Sequence, residues 1–305
     1  MISHRGLSVL LLAALATIFL AKDTAAEGTE VLQLQLEAKI PLADIRGRID
    51  HMAVDLARHR LFVAALGSDS LAVVDLEAQR LDRTIGDLGE PQGVGYDPVT
   101  DTLYVANARD GSVSLFKASD LSPNGRIELG SDADNIRVDS KAGRIFIGYG
   151  DGALAIVDAA TNNKIADAPL NAHPESFQIE ESRVFINIPK ASAIDVVDRT
   201  SGEKIASWPT AGRNANFAMV LDRSRQHVVV AFRQPAELGV FSAADGSLVA
   251  SVPTCGDVDD LFLDSKRDRV YVSCGEGFLD VLAADGESHS RRRRNPRASA
   301  VFSPK

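Results

Sequence analysis

Carboxylates, imidazoles and amides recur at one position in this 305-residue chain, directly before a short apolar stretch that is repeated six times. If the repeats surround an axis, these side chains meet at a shared opening. Converging carboxylates raise one another's pKa, so they tend to share a proton or to bind a cation. Oxygen ligands suit Ca²⁺, whereas imidazole ligands favour Zn²⁺, iron or copper. The candidate ligand-binding residues are Asp50, His51, Asp134, Asn135, His173, Glu175, Asn216 and Asp259.

The same set offers a site for a divalent cation, although polar residues of this kind also line any solvated channel rim. No ligand-spaced pair occurs within one strand, so the ligands would have to come from different repeats. The sequence lacks a G-x-S-x-G elbow, an H-E-x-x-H motif and a glycine-rich phosphate loop. These observations favour a binding module over an enzyme. The candidate metal ligands are Asp50, His51, Asp134, Glu175 and Asp259.

The repeated motif that must position these residues is the apolar triplet Leu103-Tyr104-Val105 and its copies. The central residues of the copies fall at positions 62, 104, 146, 185, 229 and 271, so the period is close to 42 residues. Self-similarity at such a period is typical of propellers, solenoids and arrays. Because the triplets are rich in β-branched and aromatic residues, the repeated unit is predicted to consist of strands.

Each repeat resolves into four short strands. A first strand such as Ile136-Arg-Val-Asp139 leads through a turn to the triplet, and a third strand such as Val73-Val-Asp75 follows. The fourth strand carries Pro in four cases; Pro lacks the N–H that a central strand must donate, so this strand is the outer edge. Four-stranded sheets repeated radially make a β-propeller. The aspartates that end the first strands, such as Asp139, are interpreted as turn formers.

Leu103-Tyr-Val-Ala-Asn107 and its copies resemble the repeat of the YVTN-type β-propellers, exported seven-bladed proteins related to the YncE group. The resemblance covers roughly residues 31–288 and implies seven blades. The alternating stretch Val31–Glu37 matches a fourth strand and is expected to close the ring, and Ala300-Val-Phe302 is in phase for the first strand of a last blade. The expected fold is an all-β propeller of four-stranded blades, with six recognisable repeats and an incomplete, truncated seventh closed by the N-terminal strand.

Residues 1–26 are predicted to be a signal peptide. His4 and Arg5 precede an apolar run that ends at Ala21, and small residues suitable for cleavage follow it. The run is shorter than the roughly 20 residues of a comfortable bilayer span, so no stable membrane insertion is expected after cleavage. The alternative is an uncleaved segment that remains as an N-terminal anchor. We therefore predict an exported protein, periplasmic or secreted, with a propeller domain at 27–288. Residues 289–305 form a basic tail that is a candidate remnant of the last blade.

The two cysteines, Cys255 and Cys274, flank a strand–turn–strand stretch of the last full repeat. Pairing of these strands places both thiols at the same end of a hairpin, where a disulfide is geometrically feasible. An oxidising compartment favours that disulfide over two reduced thiols. Neither cysteine belongs to a C-x-x-C-H motif, which excludes a covalently attached c-type haem.

The formal net charge is −9, and the basic tail carries positive charges without any acid, so the body of the chain is more acidic than the total. An acidic body does not suit nucleic acid, whose phosphates require a basic surface. The sequence therefore predicts an exported, non-catalytic binding or scaffold protein whose channel mouth binds a small ligand, a cation or a protein partner. The main alternative is a metal-dependent, lactonase-like hydrolase whose carboxylates hold a cation that polarises a carbonyl. A redox enzyme with a non-covalent cofactor is a third alternative.

Overall fold

The computed structural model describes Leu34, residues 36–284 and the backbone of residues 293–296. These residues form six four-stranded antiparallel sheets, each made of four strands that are consecutive in the chain. In every sheet the spatial order of the strands is their order in the sequence, so the first and fourth strands are the two edges. The described residues therefore confirm an all-β propeller of four-stranded blades, with six blades.

The first and second strands of each sheet contain the segments that the repeat predicted. The apolar triplets lie in the second strands, at the centre of each blade. The first strands are β1 (Met52–Asp55), β5 (Pro91–Asp97), β9 (Ala133–Asp139), β13 (Phe177–Ile179), β17 (Asn214–Asp222) and β21 (Val258–Asp264). The second strands are β2 (Arg60–Ala65), β6 (Thr102–Asn107), β10 (Arg144–Tyr149), β14 (Arg183–Ile188), β18 (His227–Gln234) and β22 (Arg269–Cys274).

The third and fourth strands complete each blade, and the Pro-bearing fourth strand is the outer edge, as predicted. The third strands are β3 (Ser70–Asp75), β7 (Ser112–Lys117), β11 (Ala153–Asp158), β15 (Ala193–Asp198), β19 (Ala236–Ser242) and β23 (Phe278–Ala283). The fourth strands are β4 (Arg80–Ile85), β8 (Pro123–Glu128), β12 (Lys164–Pro169), β16 (Lys204–Pro209), β20 (Leu248–Pro253) and β24 (Arg293–Pro296).

Apolar side chains fill the spaces between neighbouring blades. Tyr104 and Val113 of the second blade pack with Ile136 and Ile145 of the third, and similar clusters lie at the other junctions between successive blades. Because alternate residues of a strand point to opposite faces, each central strand contributes to the cores on both of its sides. The aspartates at the ends of the first strands accept hydrogen bonds from the turn backbone, as Asp97 does, which confirms them as turn formers.

The predicted closure of the ring is only partly covered by the described residues. Of the stretch Val31–Glu37, the described members are not in a strand. A later segment instead packs apolar side chains, among them Ile45 and Ile49, against the face of the first blade that is opposite the second blade. The predicted seventh-blade segment Ala300–Phe302 lies outside the described residues, whereas Arg293–Pro296 of the basic tail pairs with β23. Within the described ranges the structure contains no helix with the length and hydrophobicity that a bilayer crossing requires.

The predicted disulfide between Cys255 and Cys274 is present, with the two Cα atoms 6.0 Å apart. Both residues are fully buried in the apolar core between the fifth and sixth blades. The bond closes a loop across the hairpin that carries the first strand of the last described blade. It therefore links the segment that enters the sixth blade to the end of the second strand of that blade.

Replacing both cysteines with alanine is expected to lower the free energy of unfolding by about 3 kcal/mol, because a sequence separation of 19 residues closes a loop of intermediate length. Urea unfolding of the wild type and the variant, each with and without reductant, measures this difference. Reductant should shift the wild-type midpoint and leave the variant unchanged. Equal midpoints for all four samples would show that the disulfide does not stabilise the chain.

Candidate cation site at the channel mouth

The candidate site is built by the backbone that enters the first strands of three blades. Asp134 is the second residue of β9, and His173 and Glu175 lie in the connection that leads into β13. Gly93 of the neighbouring blade passes this point closely: a Cβ at Gly93 would lie 2.0 Å from the Asp134 carbonyl oxygen. A glycine is therefore required for the first strands of the second and third blades to approach each other at the mouth, beside Asp134.

Asp134, His173 and Glu175 bring their donor atoms within 4.8 Å of one another. The Asp134 residue is only 5% exposed, and its Oδ2 lies 3.5 Å from Nε2 of His173. Its other oxygen, Oδ1, is buried and has no hydrogen-bond partner in the described structure. A buried acceptor without a partner costs free energy, so this oxygen marks a position where a cation or a ligand donor would be stabilised.

The orientation of the His173 ring is fixed by contacts of Nδ1, the ring nitrogen that points away from Asp134. Its Nδ1 lies 2.6 Å from the carbonyl oxygen of Gly150 and 3.4 Å from the Asp132 carboxylate. A carbonyl oxygen only accepts, so Nδ1 carries the proton and donates it. Nε2 is thereby turned toward Asp134. Histidines that bind metals are held in this way, with the second ring nitrogen donating to a carbonyl or a carboxylate.

The surroundings of the cluster raise the pKa values of both Glu175 and His173. Burial raises the pKa of Glu175, and the negative charges of Asp134 and Asp50 add to it, giving a pKa of about 7. Burial alone would lower the pKa of His173, but hydrogen bonding to Asp134 and to Gly150, together with the charge of Asp132, raises it to about 9. A cation that binds to these two side chains near neutral pH therefore displaces protons from them.

Asp50 and His51 extend the cluster from the first blade. His51 Nε2 lies 3.7 Å from Asp50 Oδ1 and 3.8 Å from Asp134 Oδ1, so the imidazole bridges the two carboxylates. Asp50 Oδ2 also pairs with Nη2 of Arg48 at 2.9 Å. Burial raises the pKa of Asp50, with His51 and Arg48 acting against it. The backbone N–H of His51 donates to the carbonyl of Gln92, which anchors this corner to the second blade.

The other predicted site residues lie outside this cluster of donor atoms. Asn135 is buried, and its Oδ1 accepts a hydrogen bond from Arg137. Asn216 is fully buried and donates to the Asn187 side chain and to the Ala193 carbonyl, so it lies in the polar packing between two blades. Asp259 is exposed at the rim, where its Oδ1 lies 3.4 Å from Nη2 of Arg233.

Three contributors were not among the predicted site residues. Asp132 and the Gly150 carbonyl orient His173, and Asp260, the residue after Asp259, is the carboxylate of the sixth blade whose charge raises the pKa of Asp50. The sequence contained a signal for two of them. Asp132 is two residues before Asp134, and Asp260 directly precedes the apolar part of β21. The Gly150 carbonyl has no signal in the sequence, because it depends on how a distant turn packs.

Comparisons with known proteins agree with the fold. No family model matches the chain. Two curated relatives named YncE, from Salmonella typhimurium and Salmonella typhi, are each 25% identical over 193 residues, which cover 60% of this chain. The chain spans about half the length of these relatives, since the match covers 54% of each.

Among solved structures, the chain resembles the hydrazine synthase of Kuenenia stuttgartiensis, with a TM-score of 0.72 and 17% identity. The match covers 85% of this chain and 80% of the other. At this identity the likeness concerns the fold alone. The comparisons therefore support a β-propeller with distant similarity to YncE.

Proposed function

We propose that this chain is an exported, non-catalytic β-propeller of the YVTN type, and that its channel mouth binds a divalent transition-metal cation. The observation that carries this proposal is the convergence of Asp134, His173 and Glu175 within 4.8 Å, from two different blades. The partnerless Oδ1 of buried Asp134 supports it. His51, which lies 3.8 Å from that same oxygen, is the nearest further donor.

The donor set favours Zn²⁺ or a similar cation over Ca²⁺. Ca²⁺ takes six to eight oxygen ligands, whereas one or two imidazoles with carboxylates are typical of Zn²⁺ and its neighbours. Three protein ligands from Asp134, His173 and Glu175 leave a fourth position open. His51 or a small ligand can occupy that position.

Binding of a cation is sufficient to account for the cluster of Asp134, His173 and Glu175, and no catalytic reaction needs to be assumed. The same open position would serve the hydrolase alternative, in which the cation polarises a carbonyl. No observation on the described residues favours that alternative over binding. We therefore expect the cation-loaded protein to show no hydrolysis of simple lactones or esters.

The proposal is tested by calorimetric titration of the metal-free protein with Zn²⁺ and, separately, with Ca²⁺. We expect one equivalent of Zn²⁺ per chain and weaker binding of Ca²⁺. His173→Gln should weaken Zn²⁺ binding at least about tenfold, because the variant loses an imidazole ligand. His227→Gln is the matched control, since His227 is the first residue of β18, directly after the turn that joins the first two strands of the blade, away from the mouth.

Three results would contradict the proposal. They are the absence of Zn²⁺ binding by the wild type, equal Zn²⁺ affinities of the two histidine variants, and tighter binding of Ca²⁺ than of Zn²⁺. Circular dichroism of each variant shows whether the fold is intact, so that a loss of binding is assigned to the site and not to unfolding.

A further inference from the structure

Arg137 is a positively charged residue at the junction of the third and fourth blades that the cation site does not use. It lies on β9, three residues after Asp134, and its guanidinium extends toward the fourth blade. Its hydrogen bonds go to uncharged acceptors: Nη1 donates to Asn135 Oδ1 at 3.3 Å and to the Ile136 carbonyl at 2.9 Å, and Nη2 donates to Ser176 Oγ at 3.4 Å. The guanidinium also lies over the Phe177 ring, 5.6 Å from its centre.

The other arginines near the mouth are neutralised by carboxylates. Arg48 pairs with Asp50, and Arg233 pairs with Asp257 and Asp259. In the part of the chain that the structure describes, no carboxylate lies within the 4.0 Å of an ion pair to Arg137. The charge of Arg137 is therefore stabilised by the dipoles of its hydrogen-bond acceptors and by the Phe177 ring. Burying the guanidinium costs desolvation free energy, and no paired anion compensates for that cost.

The surroundings of Arg137 place it inside the ring of first strands. The negative charges of Asp134 on its own strand and of Asp260 in the sixth blade both act on it, and burial lowers the pKa of its guanidinium. The residue as a whole is partly exposed, although its guanidinium is buried. Ser176, its hydrogen-bond partner, is adjacent in sequence to Glu175 of the cation cluster. The guanidinium thus lies beside the segment that carries Glu175 of the cation cluster.

We propose that the site takes its cation together with a small carboxylate ligand that contacts both the bound cation and Arg137. This inference rests on the proposed function, because the cation supplies one of the two contacts. The fork of N–H groups on a guanidinium matches the geometry of a carboxylate. Without a cation the carboxylates of the mouth repel an anion, so the carboxylate binds only to the cation-loaded protein.

A carboxylate fits this position better than a phosphate. Asp50, Asp134, Glu175 and Asp260 surround the opening, and they repel most strongly a ligand that concentrates its negative charge at one point. At neutral pH a dicarboxylate carries about the same charge as inorganic phosphate, but it divides that charge between two groups, so one carboxylate can contact the cation and the other Arg137. Inorganic phosphate is therefore the comparison ligand, and its binding is expected to be weaker.

The test is a calorimetric titration of the Zn²⁺-loaded and the metal-free protein with malonate, succinate, glutarate and phosphate. At least one dicarboxylate should bind the Zn²⁺-loaded wild type, and none should bind the metal-free protein. Arg137→Gln should weaken that binding about tenfold to 100-fold, the effect of losing a charge-assisted hydrogen-bonded pair. Arg137→Lys, which keeps the charge and loses the fork, should fall between the wild type and Arg137→Gln.

Arg267→Gln is the matched control, because it removes the same charge from the exposed turn after β21, where Arg267 pairs with Asp264 at the end of the blade away from the mouth, and it should leave dicarboxylate affinity unchanged. Zn²⁺ affinity should be unchanged or higher in Arg137→Gln, since a positive charge is removed, whereas a purely structural role of Arg137 would lower both affinities. Equal dicarboxylate binding by the wild type and Arg137→Gln would overturn the inference, as would tighter binding of phosphate. Zn²⁺ binding without any dicarboxylate binding would overturn the inference alone, and an absence of Zn²⁺ binding would instead overturn the proposed function.

Discussion

Replacing Asp134 with asparagine is expected to weaken Zn²⁺ binding at least about 100-fold while the propeller remains folded. Asp134 contacts both imidazoles of the site: its oxygens lie 3.8 Å from His51 Nε2 and 3.5 Å from His173 Nε2. Asparagine keeps the size of the side chain but replaces one anionic oxygen with an NH₂ group, which cannot coordinate a cation. Calorimetric titration with Zn²⁺ measures the loss.

Asp257→Asn is the control for the Asp134 variant. It makes the same change of acid to amide on the same side of the propeller, at an exposed residue that pairs with Arg233. Its Zn²⁺ affinity should equal that of the wild type. A cooperative melting transition of Asp134→Asn, followed by circular dichroism, shows that the variant is folded. A folded Asp134→Asn protein with wild-type Zn²⁺ affinity would exclude this cluster as the binding site.

The fold was accessible from the sequence because its signals are local and repeated. The apolar triplet of each repeat became the second strand of a blade, as Leu103-Tyr104-Val105 did in β6. Polar residues at equivalent positions of separate repeats were predicted to meet at one opening, and Asp50 and Asp134 do meet there, on either side of His51. A period near 42 residues was sufficient for this, since equivalent positions in a ring of blades share one face.

The sequence could not show which of several neighbouring polar residues points into the channel. The pairing of β21 with β22 shifts register between Val258 and Asp260. Asp259 falls within this irregularity and turns outward to Arg233, whereas the charge of Asp260 acts on Asp50 and Arg137. A displacement of one residue moves a side chain to the opposite face of a strand, and bulges of this kind leave no clear mark in the sequence.

Contacts between residues that are far apart in the chain could not be predicted from the sequence either. The sequence around Gly150 indicates only a tight turn, yet the carbonyl oxygen of Gly150 orients His173, which lies 23 residues later in the chain. Arg137 did carry a signal, because a charged residue interrupts an apolar first strand at a position where other blades have Gly95, Val220 or Phe262. Its lack of a carboxylate partner, however, depends on how the fourth blade packs beside the third.

The stability of the metal-free protein is expected to fall as pH rises from 4.5 to 9, and Zn²⁺ should oppose that fall. The pKa of Glu175 rises from 4.5 to about 7 on folding, and that of His173 from 6.5 to about 9. Between these limits the folded chain holds more protons than the unfolded chain, so the free energy of unfolding decreases with increasing pH. For half-buried Glu175 the decrease is about 1–2 kcal/mol after allowance for solvent screening.

Zn²⁺ binding has the opposite pH dependence, because the cation must displace the protons on Glu175 and His173. Its affinity therefore rises with pH, and the stabilisation by a fixed excess of Zn²⁺ rises with it. Thermal melts across this range, with Zn²⁺ and with a chelator, should diverge as pH increases. Titration in buffers of different ionisation enthalpy should show the released protons directly.

The variant Glu175→Gln separates the contribution of Glu175 to the pH dependence of stability from that of His173. In the metal-free variant the fall in stability between pH 4.5 and 7 should disappear, while the fall that belongs to His173 persists toward pH 9. The variant should therefore be more stable than the wild type at neutral pH without metal, and should bind Zn²⁺ more weakly. Parallel stability curves for the wild type and Glu175→Gln would show that Glu175 is not protonated in the folded chain. If Glu175→Gln is more stable than the wild type and binds Zn²⁺ more weakly, Glu175 lowers the stability of the fold but contributes to binding. That combination distinguishes a binding site from carboxylates that only line a channel, because a binding role offsets the free energy that their mutual repulsion costs.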